Sequence, residues 1–328
     1  MDDVEYGVVN MKLTKEEFKS IISGAVRFEE TEDGYIYPHQ YTKEQVEYFK
    51  SANTFWFDRS TASNARTIEI ATDATRISFD YKIIWSGSND SVELFVDGTV
   101  TEILYVKDME EEGIITFGLP CGSKSVCIYL PADATLLVRD FELDGDWELV
   151  HKDVKILWIG DSITQGYGPL RSSCTYVSVA NRILNCEVIN QGIGSYVYDI
   201  NSITPIPGFV PDIIIVAMGT NQHQIDGQES VIREFYYELT SLYPDVPVLC
   251  ITPIWRGDVP KTFNMLLEIR DTIKSICNSY KHISVVDGFS LVPHLEEYFL
   301  DKLHPNVLGS ELYGRNLADY IMKIGFLD

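Results

Sequence analysis

Basic residues are scarce in this 328-residue chain: 26 Lys and Arg stand against 49 Asp and Glu, a formal net charge of −23 at pH 7. A surface of that sign repels phosphate backbones and anionic bilayers, which argues against nucleic acid and membrane surfaces as partners. Long apolar runs are missing too. No stretch reaches the roughly 18 residues of a spanning helix, and the opening MDDVEYGVVNM has neither a basic segment nor an apolar run, so no secretory signal is read there. The expectation is a protein that is cytoplasmic, or secreted with its signal absent from this chain. Cysteine is sparse: six residues, at 121, 127, 174, 186, 250 and 277, none in a CxxC. Most sit in apolar surroundings and read as small buried hydrophobes rather than a zinc site or disulfide frame. Cys121 and Cys127 flank a short strand-like segment, and a bridge between them is the alternative. Neither GxGxxG nor GK[ST] occurs, which argues against nucleotide binding. No internal repeat or low-complexity tract is present.

What is present is an ordinary globular mix, 45% hydrophobic and 23% charged, in two halves of different pattern. Near the start, Thr42-Lys43-Glu44-Gln45 is a helix-opening capping box with Tyr41 before it as a staple. The next hundred residues read as short strands, at 55–58, 66–71, 76–85, 91–96, 101–106, 113–117, 125–130 and 136–141, separated by turn signals such as Asp97-Gly98. Ile77 and Phe79 alternate with Arg76, Ser78 and Asp80, and Val92, Leu94 and Val96 repeat the pattern. Many short alternating strands predict a β-sandwich. The acidic run 108–112 is expected to be a solvated loop.

The pattern changes near residue 150. Near-continuous apolar strands at 153–159, 186–190, 212–218, 247–251 and 283–287 alternate with helical segments at 173–184, 229–242, 263–278 and 308–324. That alternation predicts an α/β fold, a parallel sheet covered on both faces in three α/β/α layers. The expected domains are 1–150, a β-sandwich, and 151–328, a catalytic domain.

Sites in an open parallel sheet form beyond the carboxyl ends of the strands. Here those ends read Gly160-Asp161-Ser162-Ile163-Thr164-Gln165-Gly166, Asn190-Gln191-Gly192-Ile193-Gly194-Ser195, Gly219-Thr220-Asn221 and Thr252-Pro253-Ile254-Trp255-Arg256, with Asp301-Lys302-Leu303-His304-Pro305 late in the chain. One arrangement uses most of them. Ser162 is the nucleophile at a strand-to-helix turn, His304 takes its proton, and Asp301, three residues earlier, holds the imidazole tautomer. The oxyanion meets the Ser162 N–H, a backbone N–H from the 192–195 loop, with Ser195 as the candidate, and the Asn221 amide. Such chemistry needs no metal or organic cofactor. Asp161 is expected to brace the loop as an acceptor, and His223 to be a surface loop histidine. Trp255 and Arg256 are candidate substrate contacts, an indole face for a sugar ring and a cation for a hydroxyl or carboxylate. A packing Trp beside a solvated Arg is the alternative for both.

Gly160-Asp161-Ser162 with Gly166, Gly219-Thr220-Asn221, and Asp301-x-x-His304-Pro305 resemble the blocks of the SGNH (GDSL) hydrolases, over about residues 150–328. The resemblance implies that the serine, the asparagine, and the late aspartate and histidine play the roles above. Two positions depart from the family pattern. Its second block ends in a glycine, where this chain has Ser195; any residue but proline still donates a backbone N–H. Its third block often ends in an acid, where this chain has Gln222. Residues 1–150, through Thr61-Ala62-Ser63-Asn64-Ala65-Arg66 and Ile68-Glu69-Ile70-Ala71-Thr72-Asp73, resemble the jelly-roll-like sandwich that precedes such a domain in some bacterial carbohydrate esterases, acetyl xylan esterases among them. That likeness implies an acetylated polysaccharide or oligosaccharide as substrate, with acetate released through an acyl-enzyme. A homo-oligomer is compatible with the sequence. The alternatives are a lipid or aryl esterase or thioesterase, and a glycan-binding module with an inactive hydrolase half.

Overall fold

The computed structural model describes residues 11–327; the first ten residues and Asp328, which fall within the expected domain bounds, lie outside it. The N-terminal half is a sandwich of two antiparallel sheets. One runs in the order Arg27–Glu30, Ile36–His39, Ala134–Leu143, Arg76–Ser86, Glu112–Gly118, and the other in the order Trp147–Leu149, Thr67–Thr72, Lys124–Tyr129, Ser91–Val96, Thr99–Tyr105. Period-2 alternation fills the space between them: Ile77, Phe79, Val92, Leu94, Phe117, Val126, Ile128, Leu136 and Val138 are all buried in one cluster.

The C-terminal half is a five-stranded parallel sheet in the order Glu187–Gly192, Lys155–Gly160, Ile213–Ala217, Val248–Ile251, Ile283–Val286. Its strands are apolar throughout because both faces are covered. Ile156 and Trp158 face the helices Tyr176–Leu184 and Val307–Lys323, while Leu157 and Ile159 face Gln228–Leu242 and Phe263–Cys277. The first strand lies between the second and third, so the order reverses there, and the loops after these three strands open a crevice.

One expectation is corrected. Residues 55–58 are not a strand but part of a helix, Thr54–Ser60, whose Asn53 cap accepts from the Phe55 N–H. The acidic run is an exposed loop as read, its residues 109–111 joining a 3-10 turn, Val106–Asp108, to a strand that starts at Glu112. The six cysteines are free, as read, with Cys186, Cys250 and Cys277 buried and Cys121 exposed. The capping box at Thr42 forms as read, both reciprocal bonds being present.

The two halves are tightly joined. Tyr41 and Phe49, from the segment between the sandwich strands Ile36–His39 and Thr67–Thr72, pack in the same core as Ile189, Ile193 and Tyr196. Gln45 Nε2 donates to the Ser202 carbonyl at 2.7 Å. Glu93 projects from the outer face of a sandwich strand, yet it is fully buried. Arg171 and the Ser173 hydroxyl, both from the C-terminal half, donate to it at 2.5 and 2.7 Å. Burial raises the Glu93 pKa, but Arg171 and the serine hydroxyls more than offset this and hold the carboxyl below its ordinary value.

Candidate active site

The first parallel strand ends at Gly160, and the chain turns into a four-residue helix, Ser162–Gln165. Asp161 caps it, its carboxylate accepting the Ile163 N–H at 3.0 Å, which leaves Ser162 at the first helical position with its hydroxyl toward the crevice. Beside it, Asn190 ties the second strand end to this helix. Its amide donates to the Thr164 carbonyl at 2.7 Å and its oxygen accepts the Gly192 N–H at 2.9 Å. Glycine is required at 192 because a Cβ there would run into the backbone of Thr164 and Gln165.

The late loop brings His304 to Ser162. His304 Nε2 lies 2.8 Å from Ser162 Oγ, and His304 Nδ1 lies 2.8 Å from Asp301 Oδ2. Asp301 Oδ1 also accepts the N–H groups of Leu303 and His304, at 3.1 and 2.8 Å. The loop turns back through Lys302 in the left-handed region (φ +68°), and the Lys302 carbonyl accepts the Gly257 N–H at 2.7 Å. Burial raises the Asp301 pKa, but the His304 backbone and ring together more than offset it, so the carboxyl is held below its usual range. An ionised Asp301 fixes the proton on Nδ1 and leaves Nε2 as the acceptor for the serine proton. Tyr167 packs edge-on against the His304 ring, with centroids 4.7 Å apart.

Opposite the pair lies the turn 192–196. The Gly192, Ile193, Gly194 and Tyr196 N–H groups are engaged with Asn190 Oδ1, the Gly160 carbonyl, Gln165 Oε1 and the Ile193 carbonyl. Among the described residues, none accepts the Ser195 or the Ser162 N–H. Ser195 sits in the left-handed region (φ +58°), the conformation that glycine takes without strain. Asn221 reaches the same place from the third strand end. Its amide donates one hydrogen to the Tyr196 carbonyl at 2.9 Å and retains a second.

Arg256 and Trp255 are occupied within the protein. The Arg256 guanidinium pairs with Asp258 through two bonds of 2.7 Å and donates a third, of 2.9 Å, to the Thr220 carbonyl. It is buried and braces the loop that carries Asn221. Trp255 stacks on His294, centroids 5.8 Å apart, and against Phe299. His223 is not a surface histidine: it is buried, and its Nδ1 contacts the same Thr220 carbonyl at 2.9 Å. Burial lowers its pKa, favouring the neutral ring. Asp161 is buried, and desolvation raises its pKa to about 7 despite the Ile163 N–H and Arg256.

Sequence reasoning missed Gln165 and Trp56. Gln165 is buried, accepts the Gly194 N–H at 2.7 Å and donates to Asp133 of the sandwich at 2.8 Å. A long polar residue one turn after Ser162 was the available signal.

Residues 158–312 match the model of the GDSL-like lipase/acylhydrolase family. No curated protein matches the chain by sequence. Solved structures do match it in fold. The salicylyl-acyltransferase SsfX3 from a tetracycline biosynthetic pathway is similar at a TM-score of 0.76 and 16% identity, covering 97% of this chain and 98% of that one. A family two carbohydrate esterase from Cellvibrio japonicus is similar at 0.65 and 15% identity, over 98% and 99%. The acetyl xylan esterase Est2A from Butyrivibrio proteoclasticus is similar at 0.59 and 18% identity, over 82% and 92%. No described helix is long and apolar enough to cross a membrane. The family match spans all three strand-end loops of the crevice and the histidine loop, so residues 158–312 are similar to a GDSL-like lipase/acylhydrolase domain, and this similarity supports a carboxylic ester hydrolase.

Proposed function

We propose that the protein removes O-acetyl groups from a carbohydrate, with residues 151–328 as the catalytic unit and 1–150 as its accessory sandwich. The observation that carries the reading is the continuous relay from Ser162 Oγ through the His304 ring to Asp301, at 2.8 Å per step, facing the unengaged N–H groups of Ser162 and Ser195 and the free amide hydrogen of Asn221. Ser162 Oγ attacks the acetyl carbonyl as its proton passes to His304 Nε2. The carbonyl oxygen becomes an oxyanion, held by those three donors. His304 returns the proton to the sugar oxygen as the C–O bond breaks, leaving acetyl-Ser162. Water, deprotonated by His304, then releases acetate and restores the serine. Arg256 and His223 serve as positioning residues, since both hold the Thr220 carbonyl next to Asn221. The sugar acceptor is supported by the fold likeness to carbohydrate esterases.

The fold likeness to an acyltransferase favours one second reading, transfer of the acyl group to an alcohol other than water. One experiment addresses both. Acetate release from acetylated xylan is measured with Ser162→Ala beside the parent, and an aryl ester is offered with and without an added alcohol. Release lost in the mutant supports the deacetylase. No release from acetylated xylan, mannan or oligosaccharides, with aryl turnover intact, refutes it; an acylated alcohol as main product supports transfer.

A further inference from the structure

We infer that Trp56, on the helix Thr54–Ser60 between the sandwich strands Ile36–His39 and Thr67–Thr72, is a positioning residue that sets the oxyanion hole of the C-terminal half. The inference rests on the serine-esterase reading above. Its basis is the way the turn 194–196 is held. The Gly194 N–H is fixed by Gln165 and the Ser195 N–H is left for substrate. The Tyr196 carbonyl fixes Asn221. Two of the three oxyanion donors therefore depend on where residues 195 and 196 stand.

Trp56 grips both residues. Its indole Nε1 donates a long hydrogen bond of 3.4 Å to the Ser195 carbonyl. Its ring meets the Tyr196 ring edge-on, with centroids 4.9 Å apart and planes at 85°. Phe49, on the preceding helix, meets Tyr196 from another side at 5.7 Å. Phe55 and Arg59, on the same helix as Trp56, stand over Gly194, so closely that a Cβ on that glycine would lie 3.2 and 3.3 Å from them. The Arg59 guanidinium in turn packs on Phe55 at 3.7 Å.

Ser195 needs such a grip. A non-glycine residue in the left-handed region lies above its relaxed conformation and persists only where its surroundings hold it. Releasing the Ser195 carbonyl frees the peptide to rotate toward relaxed angles. That moves the Ser195 N–H away from the oxyanion and carries the Tyr196 carbonyl, and Asn221 with it. Displacement of this kind weakens transition-state contacts while leaving ground-state binding nearly intact.

The test is steady-state turnover of p-nitrophenyl acetate by the full chain, which does not depend on the sugar. Trp56→Leu is expected to lower kcat by roughly 10- to 100-fold, with KM within about twofold of the parent. Trp56→Phe keeps the ring on Tyr196 and loses only the N–H, so its loss is expected to be about threefold or less. Should the leucine variant not fold, the phenylalanine variant against the parent carries the same comparison. The decisive readout is the double variant: with Asn221→Ala in place, Trp56→Leu is expected to lower kcat by less than half the factor seen alone, because part of what it displaces is already gone. Full additivity, or a KM rise at unchanged kcat, overturns the inference. Ser162→Ala run alongside separates the two ideas. Turnover lost there but unchanged in Trp56→Leu refutes the positioning role alone, whereas turnover that survives Ser162→Ala refutes the reading beneath it.

Discussion

Asn221→Ala gives the sharpest test of the proposed oxyanion hole. The amide nitrogen carries two hydrogens. One is engaged with the Tyr196 carbonyl at 2.9 Å, and the other has no described acceptor. Truncation therefore removes two things of different size. The Tyr196 bond is neutral and half-buried, and its loss should lower stability by about 1 kcal/mol. The free hydrogen, aimed at a charge that exists only in the transition state, is worth about 2.7–4 kcal/mol, or roughly 100- to 1,000-fold in kcat. KM should hardly move, because the ground-state carbonyl oxygen carries little of that charge. The Ser162 and Ser195 N–H groups remain, so turnover should stay above that of Ser162→Ala. Asn221→Asp is the shape-matched control. Its carboxylate faces both the oxyanion and the Tyr196 carbonyl, so kcat should fall at least as far as with alanine. The measurements are kcat and KM on an acetyl ester, with melting temperature alongside. A kcat within about threefold of the parent, in a variant that melts as the parent does, would refute the assignment.

Two further predictions concern buried polar groups around the site. Gln222 is fully buried and, among the described residues, neither its amide oxygen nor its nitrogen finds a partner. Gln222→Leu should therefore raise stability by about 1–3 kcal/mol, read as a higher urea midpoint at constant slope, and an unchanged or lower midpoint would show the amide to be satisfied. Asp161 has its pKa raised to about 7 by burial, against about 3.9 in an unfolded chain. Between about pH 4 and 7 the folded protein retains a proton that the unfolded chain has released, so this group's contribution to stability falls as pH rises through that window and is level above it. Asp161→Asn keeps an acceptor for the Ile163 N–H and should flatten that part of the melting profile. Parent and variant curves that run parallel from pH 4.5 to 7.5 would contradict this.

Much of the C-terminal half could be read directly. A strand buried on both faces must be apolar at nearly every position, and 153–159 and 212–218 are. Helical segments between them then leave one architecture, whose strand ends gather the polar loops. The Asp301-x-x-His304 spacing also translates into geometry, because three residues are enough for one tight turn to bring carboxylate and imidazole together. Misreadings came where a neighbour distant in sequence decided the outcome. Residues 55–58 are aromatic enough to suggest a strand, but the Asn53 cap and the packing of Trp56 on Tyr196 make them helical. Arg256 looked free to meet substrate, but beside Asp258, two residues on, the Thr220 carbonyl, 36 residues away in the chain, also claims its guanidinium. Alternation correctly put Val92 and Leu94 inside the sandwich. It could not show that Glu93, facing outward, would be buried against Arg171 and Ser173.

That last contact bears on how the two halves work together. A carboxylate with no solvent exposure survives only if it is paired, and every donor Glu93 draws from outside its own strand lies at 171–173, just after the turn that carries Ser162. Asp133, also in the sandwich, accepts from Gln165, which fixes the Gly194 N–H. Tyr41 and Phe49 complete the core beneath Ile193 and Tyr196, and burying each adds about 1.5–3 kcal/mol. Removing the N-terminal half would leave Arg171 without its carboxylate, Gln165 without one of its partners and an open apolar face under residues 193–196. The strands that deliver Ser162 and Asn221 lie within the parallel sheet and would survive that loss more readily than the turn at 194–196, which is braced from outside the sheet. A damaged interface should therefore reach kcat through Ser195 and Asn221 before it reaches the Ser162–His304 pair.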